Sequence, residues 1–100
     1  MEQDALRSVQ DRAAELGRTQ AALFATLARI AEAIADTEDK SAEVHDNAAV
    51  HLPGASEHAA RARRFAAAER AAASAYHNHE IPPDDVRQAI RQSHPGADDQ

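Results

Sequence analysis

Residues 6–34 read LRSVQDRAAELGRTQAALFATLARIAEAI, and this stretch decides the fold. Apolar residues recur in it at alternating steps of three and four, and the same spacing continues with smaller side chains to residue 48. The positions of this heptad seam are Leu6, Val9, Ala13, Leu16, Gln20, Leu23, Leu27, Ile30, Ile34, Thr37, Ser41, Val44 and Ala48. Because such spacing keeps one side of a helix apolar, its persistence over about six heptads indicates a helical bundle or coiled coil.

The seam predicts one long first helix over residues 3–51, because no proline interrupts residues 2–52. Gln20 is the only polar seam residue before Ile34, and a single polar residue of that kind weakens association while it helps to fix the register. The polar stretch DTEDKS, residues 36–41, leaves two alternatives. The helix either continues or breaks there, with Asp36 or Thr37 capping a new segment; we expect it to continue.

The sequence His51-Leu52-Pro53-Gly54 ends the first helix. Proline cannot continue a helix and disfavours helical geometry in the residue before it, and glycine accepts positive φ. Ser56 then offers an N-cap oxygen to a second helix over residues 57–79.

A connection this short predicts an antiparallel hairpin, in which the second helix folds back along the latter half of the first. Folding about Pro53 predicts four cross-helix neighbours. They are Ala62 with Val44, Phe65 with Ser41, Ala72 with Ile34, and Tyr76 with Ile30.

A third, short helix is predicted over residues 83–93. Pro83 suits a first helical turn, and Asp84 and Asp85 complement the helix dipole there. Val86 and Ile90 are expected to face inward. We therefore expect a single helical domain over residues 1–94, followed by a flexible acidic tail over residues 95–100.

The second helix is about half as long as the first, so part of the seam has no cover within the chain. An apolar stripe of that length predicts association, and a two-fold symmetric pair is the commonest solution. We expect a homodimer that forms a four-helix-like bundle, with another helical protein as the alternative partner. The expected interface residues are Leu6, Val9, Leu16, Leu23, Phe24, Leu27, Ile30 and Ile34.

Composition supports helices that need partners. Of 43 apolar residues 26 are alanine and only 15 are Leu, Ile, Val or Phe. Hydrophobic collapse therefore drives folding only weakly, and the high helix propensity of alanine favours helix formation instead. The net charge is −6, with 10 acidic and 5 basic residues in the first half, which disfavours nucleic acid. The absence of cysteine fits a reducing cytoplasm. No apolar run approaches the roughly 20 residues that are needed to span a bilayer, so we expect no membrane insertion.

Six histidines are the one compositional feature that suggests chemistry: His45, His51, His58, His77, His79 and His94. A metal- or ligand-binding bundle is therefore an alternative function, with His45, His51 or His58, or else His77 and His79 beside Glu80, as candidate ligands. However, residues two apart lie about 200° around a helix, so His77 and His79 do not converge. We expect no metal site and no cofactor, and exposed histidines at helix ends.

The second alternative is a regulator that contacts nucleic acid through its one basic cluster, which is Arg61, Arg63, Arg64 and Arg70. The simpler interpretation is a solvated helix face that pairs with Glu57, Glu69 or acids of the first helix. Glu69 itself is expected at an edge in solvent. Since no nucleophile motif or phosphate loop is present, we expect a protein that is not an enzyme.

Overall fold

The computed structural model describes residues 2–93, and these residues form three α-helices and no strand. The helices are α1 (Glu2–Ala48), α2 (Ala55–His77) and α3 (Asp84–Gln92). The all-helical prediction is confirmed, and so is the continuity of α1 through residues 36–41. His94 and the predicted tail over residues 95–100 lie outside the described residues.

The molecule is elongated because α1 is 47 residues long. At about 1.5 Å per residue this helix spans roughly 70 Å, and the longest dimension is 76 Å against 27 and 18 Å for the other two. The radius of gyration is 19.9 Å, whereas a compact chain of this length has a value of about 13 Å. A large part of α1 therefore extends beyond the other helices.

The turn between α1 and α2 differs from the prediction in two details. The first helix ends at Ala48, three residues early, because the N–H groups of His51 and Leu52 both donate to the Ala48 carbonyl in a tight turn before Pro53. The second helix begins at Ala55, and its N-cap is Gly54 at φ 83°. The predicted cap was wrong, since Ser56 lies inside the first helical turn.

Helices α1 and α2 pack together through alanine. No large side chain is completely buried in residues 2–93, and apart from Pro82 the buried apolar residues are all alanines. They are Ala28, Ala31, Ala35 and Ala42 on α1, and Ala55, Ala59, Ala62, Ala66, Ala72, Ala73 and Ala75 on α2. Helix spacing depends on the side chains at the contact, so methyl groups allow a close approach. Each buried methyl contributes only about 0.8 kcal/mol.

The face of α1 that meets α2 is displaced from the heptad seam. Its buried alanines lie one residue later than the seam positions 27, 30, 34 and 41, which is a rotation of about 100°. As a result Val44 is exposed, and Ala62 packs in a cluster with Ala42 and Ala59. The buried neighbour of Ala62 on α1 is thus Ala42, and Val44, its predicted neighbour, lies on the exposed side of α1.

Helix α3 packs on α2. Asp84 and Asp85 lie in its first turn as predicted, and Val86 and Ile90 are half-buried. Ile90 lines a groove with α1 and α2 that we call the α3 groove. Its lining is Leu27, Ile30, Ala31, Ile34, Glu69, Ala72, Tyr76 and Ile90.

Candidate functional site

The heptad seam consists of two columns with different surroundings. The first column repeats every seven residues from Leu6 through Leu27 and Ile34, and it is half-buried at the edge of α2 from Leu27 onward. The second column runs from Val9 through Ile30 to Val44 and is exposed along its whole length. Helix α2 therefore covers one flank of the seam and leaves the other flank open.

The largest uncovered part of the seam is what we call the open face. Its members are Leu6, Val9, Ala13, Leu16, Gln20, Leu23 and Ile30, and all are exposed. The five large aliphatic side chains among them are between 51% and 70% exposed. Helices usually turn such side chains inward, because burial of a leucine or isoleucine contributes about 1.5–3 kcal/mol. Here alanines fill the interior and aliphatic side chains lie outside.

Charged residues avoid the open face. In the heptad pattern of residues 3–20 the positions that flank it are Gln3, Ala5, Gln10, Arg12, Gly17 and Thr19, of which only Arg12 is charged. The remaining charges of this segment lie on the opposite side, at Asp4, Arg7, Asp11, Glu15 and Arg18. This half of α1 is therefore amphipathic, although nothing in residues 2–93 covers its apolar side.

The other expected interface residues lie closer to the rest of the chain. Phe24 is half-buried: its ring stacks on His79 with centroids 5.3 Å apart and lies 6.4 Å from the Tyr76 ring. Leu27 and Ile34 line the α3 groove. Of the eight expected interface residues, these three are half-buried, whereas Leu6, Val9, Leu16, Leu23 and Ile30 are exposed, and of these five Ile30 also lines the α3 groove.

Two ion pairs and one histidine–carboxylate hydrogen bond, at seven-residue intervals, connect α2 to α1, and we call these three contacts the ion ladder. Arg63 pairs with Asp46. Arg70 Nη2 lies 2.6 Å from Asp39 Oδ2, and His77 Nε2 lies 2.8 Å from Glu32 Oε1. The available signal in the sequence was the seven-residue spacing of Glu32, Asp39 and Asp46, which matches that of Arg63, Arg70 and His77 and was not used in the prediction.

The ion ladder lies in solvent, with the side chains of its members 44–58% exposed. Exposed pairs contribute little stability each, so we assign the ladder mainly to fixing the rotation of α2 on α1. The hydrogen bond from Arg63 lowers the pKa of Asp46, and the same bond raises the pKa of Arg63. Bonding to Asp39 is the main cause that raises the pKa of Arg70.

The basic cluster is thus divided. Arg63 and Arg70 pair with acids of α1, as the simpler interpretation predicted, and Arg70 also reaches Asp36 at 3.2 Å. Arg61 lies over the ring of Phe65, with its guanidinium carbon 5.7 Å from the centroid, and Arg64 is exposed. The four arginines do not form one free cationic surface.

Glu69 is the one buried charged residue in the described part of the chain, at 5% exposure. The prediction that it lies at an edge in solvent was wrong. Its side chain lines the α3 groove, and it follows Ala62 and Ala66 at the helical spacing of the buried face of α2.

The histidines lie at separate places. The rings of His45 and His58 are 5.3 Å apart near the turn, and His45 Nδ1 donates to the Ser41 carbonyl at 2.8 Å. At the other end of α2, His77 faces Glu32 while His79 stacks on Phe24. Within residues 2–93 no three histidine, aspartate or glutamate side chains are grouped to hold a metal ion, and this includes the candidate set His77, His79 and Glu80.

Comparisons with models of protein families, with curated proteins and with solved structures gave no match. Among residues 2–93, no helix combines the length and the apolar character that a bilayer crossing requires.

Proposed function

We propose that this protein is a non-catalytic assembly module that forms a homodimer through the open face of α1. The single observation that carries the proposal is the exposure of Leu6, Val9, Leu16, Leu23 and Ile30 along one line of a helix whose buried residues are all alanines. Apolar surface in a contiguous strip of this kind marks an association site.

The division of α1 into two parts supports this proposal. Its second half and α2 form an antiparallel hairpin, a geometry supported by cross-contacts that step backward along α1 as they step forward along α2. The first half, residues 2–20, is exposed at every position. Isolated helices of that length are marginal in water, so this segment needs a partner to remain helical.

The energy available from the open face suits a reversible dimer. If full burial of an aliphatic side chain contributes about 2 kcal/mol, five side chains that are roughly 60% exposed contribute about 6 kcal/mol per copy. Two copies give about 12 kcal/mol, against an association cost of about 4–15 kcal/mol. A second copy is favoured over an unrelated helix because each copy supplies an equal strip with no like charges along it.

The test of this proposal is the native mass of the full chain, measured by light scattering across a concentration series, for the wild type and two variants. Leu16→Asp places a charge in the open face at its most exposed large side chain, whereas Val50→Asp places the same charge in the turn, where Val50 is also exposed. We expect a wild-type dimer that Leu16→Asp converts to a monomer and Val50→Asp preserves.

Circular dichroism gives a second measurement on the same samples. Dissociation removes the cover from residues 2–20, so Leu16→Asp is expected to lose helical signal together with mass. A wild type that stays monomeric at every concentration contradicts the proposal, and so does a Leu16→Asp variant of unchanged dimer mass. A mass that rises only when a second protein is added assigns the open face to a different partner.

A further inference from the structure

We infer that two copies of this chain pair antiparallel through the open face, with the two-fold axis beside residue 18 of α1, and that residues 6–9 of each copy cover the α3 groove of the other. This inference rests on the proposed homodimer and specifies its geometry. It follows from the positions of the exposed side chains, from their sizes and from the place of the α3 groove.

The open face is self-complementary about one centre. It extends from Leu6 to Ile30, so its midpoint is residue 18. When two copies run in opposite directions about that midpoint, the numbers of facing residues add to 36, and the two columns of the seam face each other. Each member of one column then meets a member of the other, which is the layer pattern of antiparallel helix pairs.

Side-chain sizes favour this register. Leu6 faces Ile30, Val9 faces Leu27, Ala13 faces Leu23 and Leu16 faces Gln20, with each pair repeated by symmetry. Six of these eight layers are entirely apolar, and the small Ala13 meets a large leucine. A shift of one heptad toward longer overlap places Leu6 against Thr37. The opposite shift places Val9 against Gln20. The longer overlap therefore adds two layers that contain a polar residue, and the shorter overlap loses two apolar layers.

Charge and backbone also favour the same centre. A shift of two heptads toward longer overlap brings Arg12 of each copy beside Lys40 of the other in the flanking positions, and like charges there are repulsive. Gly17 costs a helix about 1 kcal/mol relative to alanine, and it lies one residue from the proposed axis. A Cβ atom at Gly17 meets nothing within 4 Å in one chain, so no contact within the chain requires glycine at this position.

The α3 groove provides the place where each N-terminal segment ends. In this register Leu6 of one copy lies at the level of Ile30 of the other, and Ile30 lines the groove with Ile34, Tyr76 and Ile90. At that level α1, α2 and α3 of one copy surround α1 of the other. The assembly is then four-helical at its two ends and two-helical at its centre.

Distances between spin labels test orientation and register directly in the full chain, which has no native cysteine. We choose Asp4→Cys and Arg18→Cys, because both positions are exposed and lie on the side opposite to the open face. At about 1.5 Å per residue the proposed register separates the two copies of residue 4 by about 42 Å along the axis. The two copies of residue 18 have no axial separation, which leaves roughly 20 Å across the pair.

The outcomes separate the geometry from the association itself. Equal short distances at both positions show a parallel pair and overturn the inference while the proposed homodimer stands. Axial distances near 31 or 52 Å at residue 4 show a register shifted by one heptad and also overturn it. A monomeric mass for the unlabelled wild type overturns the proposed function as well.

A compensating pair of substitutions provides a second test. Leu23→Ala removes the large side chain from the layer in which Leu23 of one copy faces Ala13 of the other. Ala13→Leu then restores a large side chain to the same layer. We expect Leu23→Ala to raise the dimer Kd and the double variant to return it to within a fewfold of the wild type. Ala13→Leu combined with Leu6→Ala is the matched control, since Leu6 does not face Ala13. Equal recovery in both backgrounds contradicts the register.

Discussion

Truncation of Leu23 to alanine measures what one position of the open face contributes to association. Leu23 is 57% exposed, and full burial of a leucine contributes about 2 kcal/mol more than exposure, so burial of the exposed part contributes about 1.1 kcal/mol. A symmetric dimer contains two copies of the side chain, which gives about 2.3 kcal/mol. Because each 1.4 kcal/mol corresponds to a factor of ten, the dimer Kd is expected to rise about 40-fold.

Alanine is the appropriate substitution because it preserves or improves helix propensity, so a weaker dimer cannot be attributed to a weaker helix. The matched control is Leu52→Ala. Leu52 has the same 57% exposure but lies in the turn between α1 and α2, away from the open face. Truncation there is expected to leave the Kd unchanged.

Sedimentation equilibrium of the three proteins over a hundredfold range of concentration gives the Kd values. The reasoning is refuted if Leu23→Ala and Leu52→Ala change the Kd equally, because association would then follow bulk hydrophobicity and not the open face. An unchanged Kd for Leu23→Ala would equally remove Leu23 from the interface. Urea unfolding of the monomer at low concentration checks that the α1–α2 contact is intact in each variant.

Four further predictions concern the fold and the seam. Ala59 is completely buried between the helices, so Ala59→Leu should overpack the contact and lower the free energy of unfolding by about 1–3 kcal/mol in urea titration. Gly54→Ala meets no neighbouring atom but must keep φ at 83°, and thermal unfolding should show a cost of about 1–2 kcal/mol. Because its bond with Arg63 lowers the pKa of Asp46, this carboxylate stabilises the fold above its unfolded-state pKa of about 3.9, and the effect is lost as pH falls through the lower folded-state pKa. The urea midpoints of wild type and Asp46→Asn should therefore differ at pH 7 and converge near pH 2, and a constant gap would contradict this. Gln20→Leu removes the polar seam residue and should tighten the dimer while broadening the spin-label distance distributions, because polar seam residues fix register at a cost in stability.

The sequence predicted the secondary structure closely because its signals are local. Alanine content and the absence of proline predicted one helix through residues 36–41, and Pro53 and Gly54 predicted where the chain turns. The predicted end of α1 lay three residues beyond Ala48. Ser56 was predicted as the N-cap of α2 in place of Gly54, since a glycine in left-handed geometry can start the second helix without a side-chain cap.

The choice of face on α1 could not be predicted in the same way. Both the aliphatic seam and the alanine positions beside it are apolar, so periodicity alone gives no preference between them. The partner surface makes the choice: α2 presents alanine methyl groups to the alanine face of α1, and the ion ladder lies beside this contact. Only the tertiary structure therefore showed that Ala28, Ala31 and Ala35 lie inside.

Residue propensities and spacing were enough to predict that this chain is helical, where its helices lie and that an apolar line runs along the first of them. Only the packing of the helices shows which side chains of that line are exposed and that Glu69 is buried. The physical reason is that helix formation depends on neighbours along the chain, whereas burial depends on which surfaces meet and how closely their side chains allow them to approach.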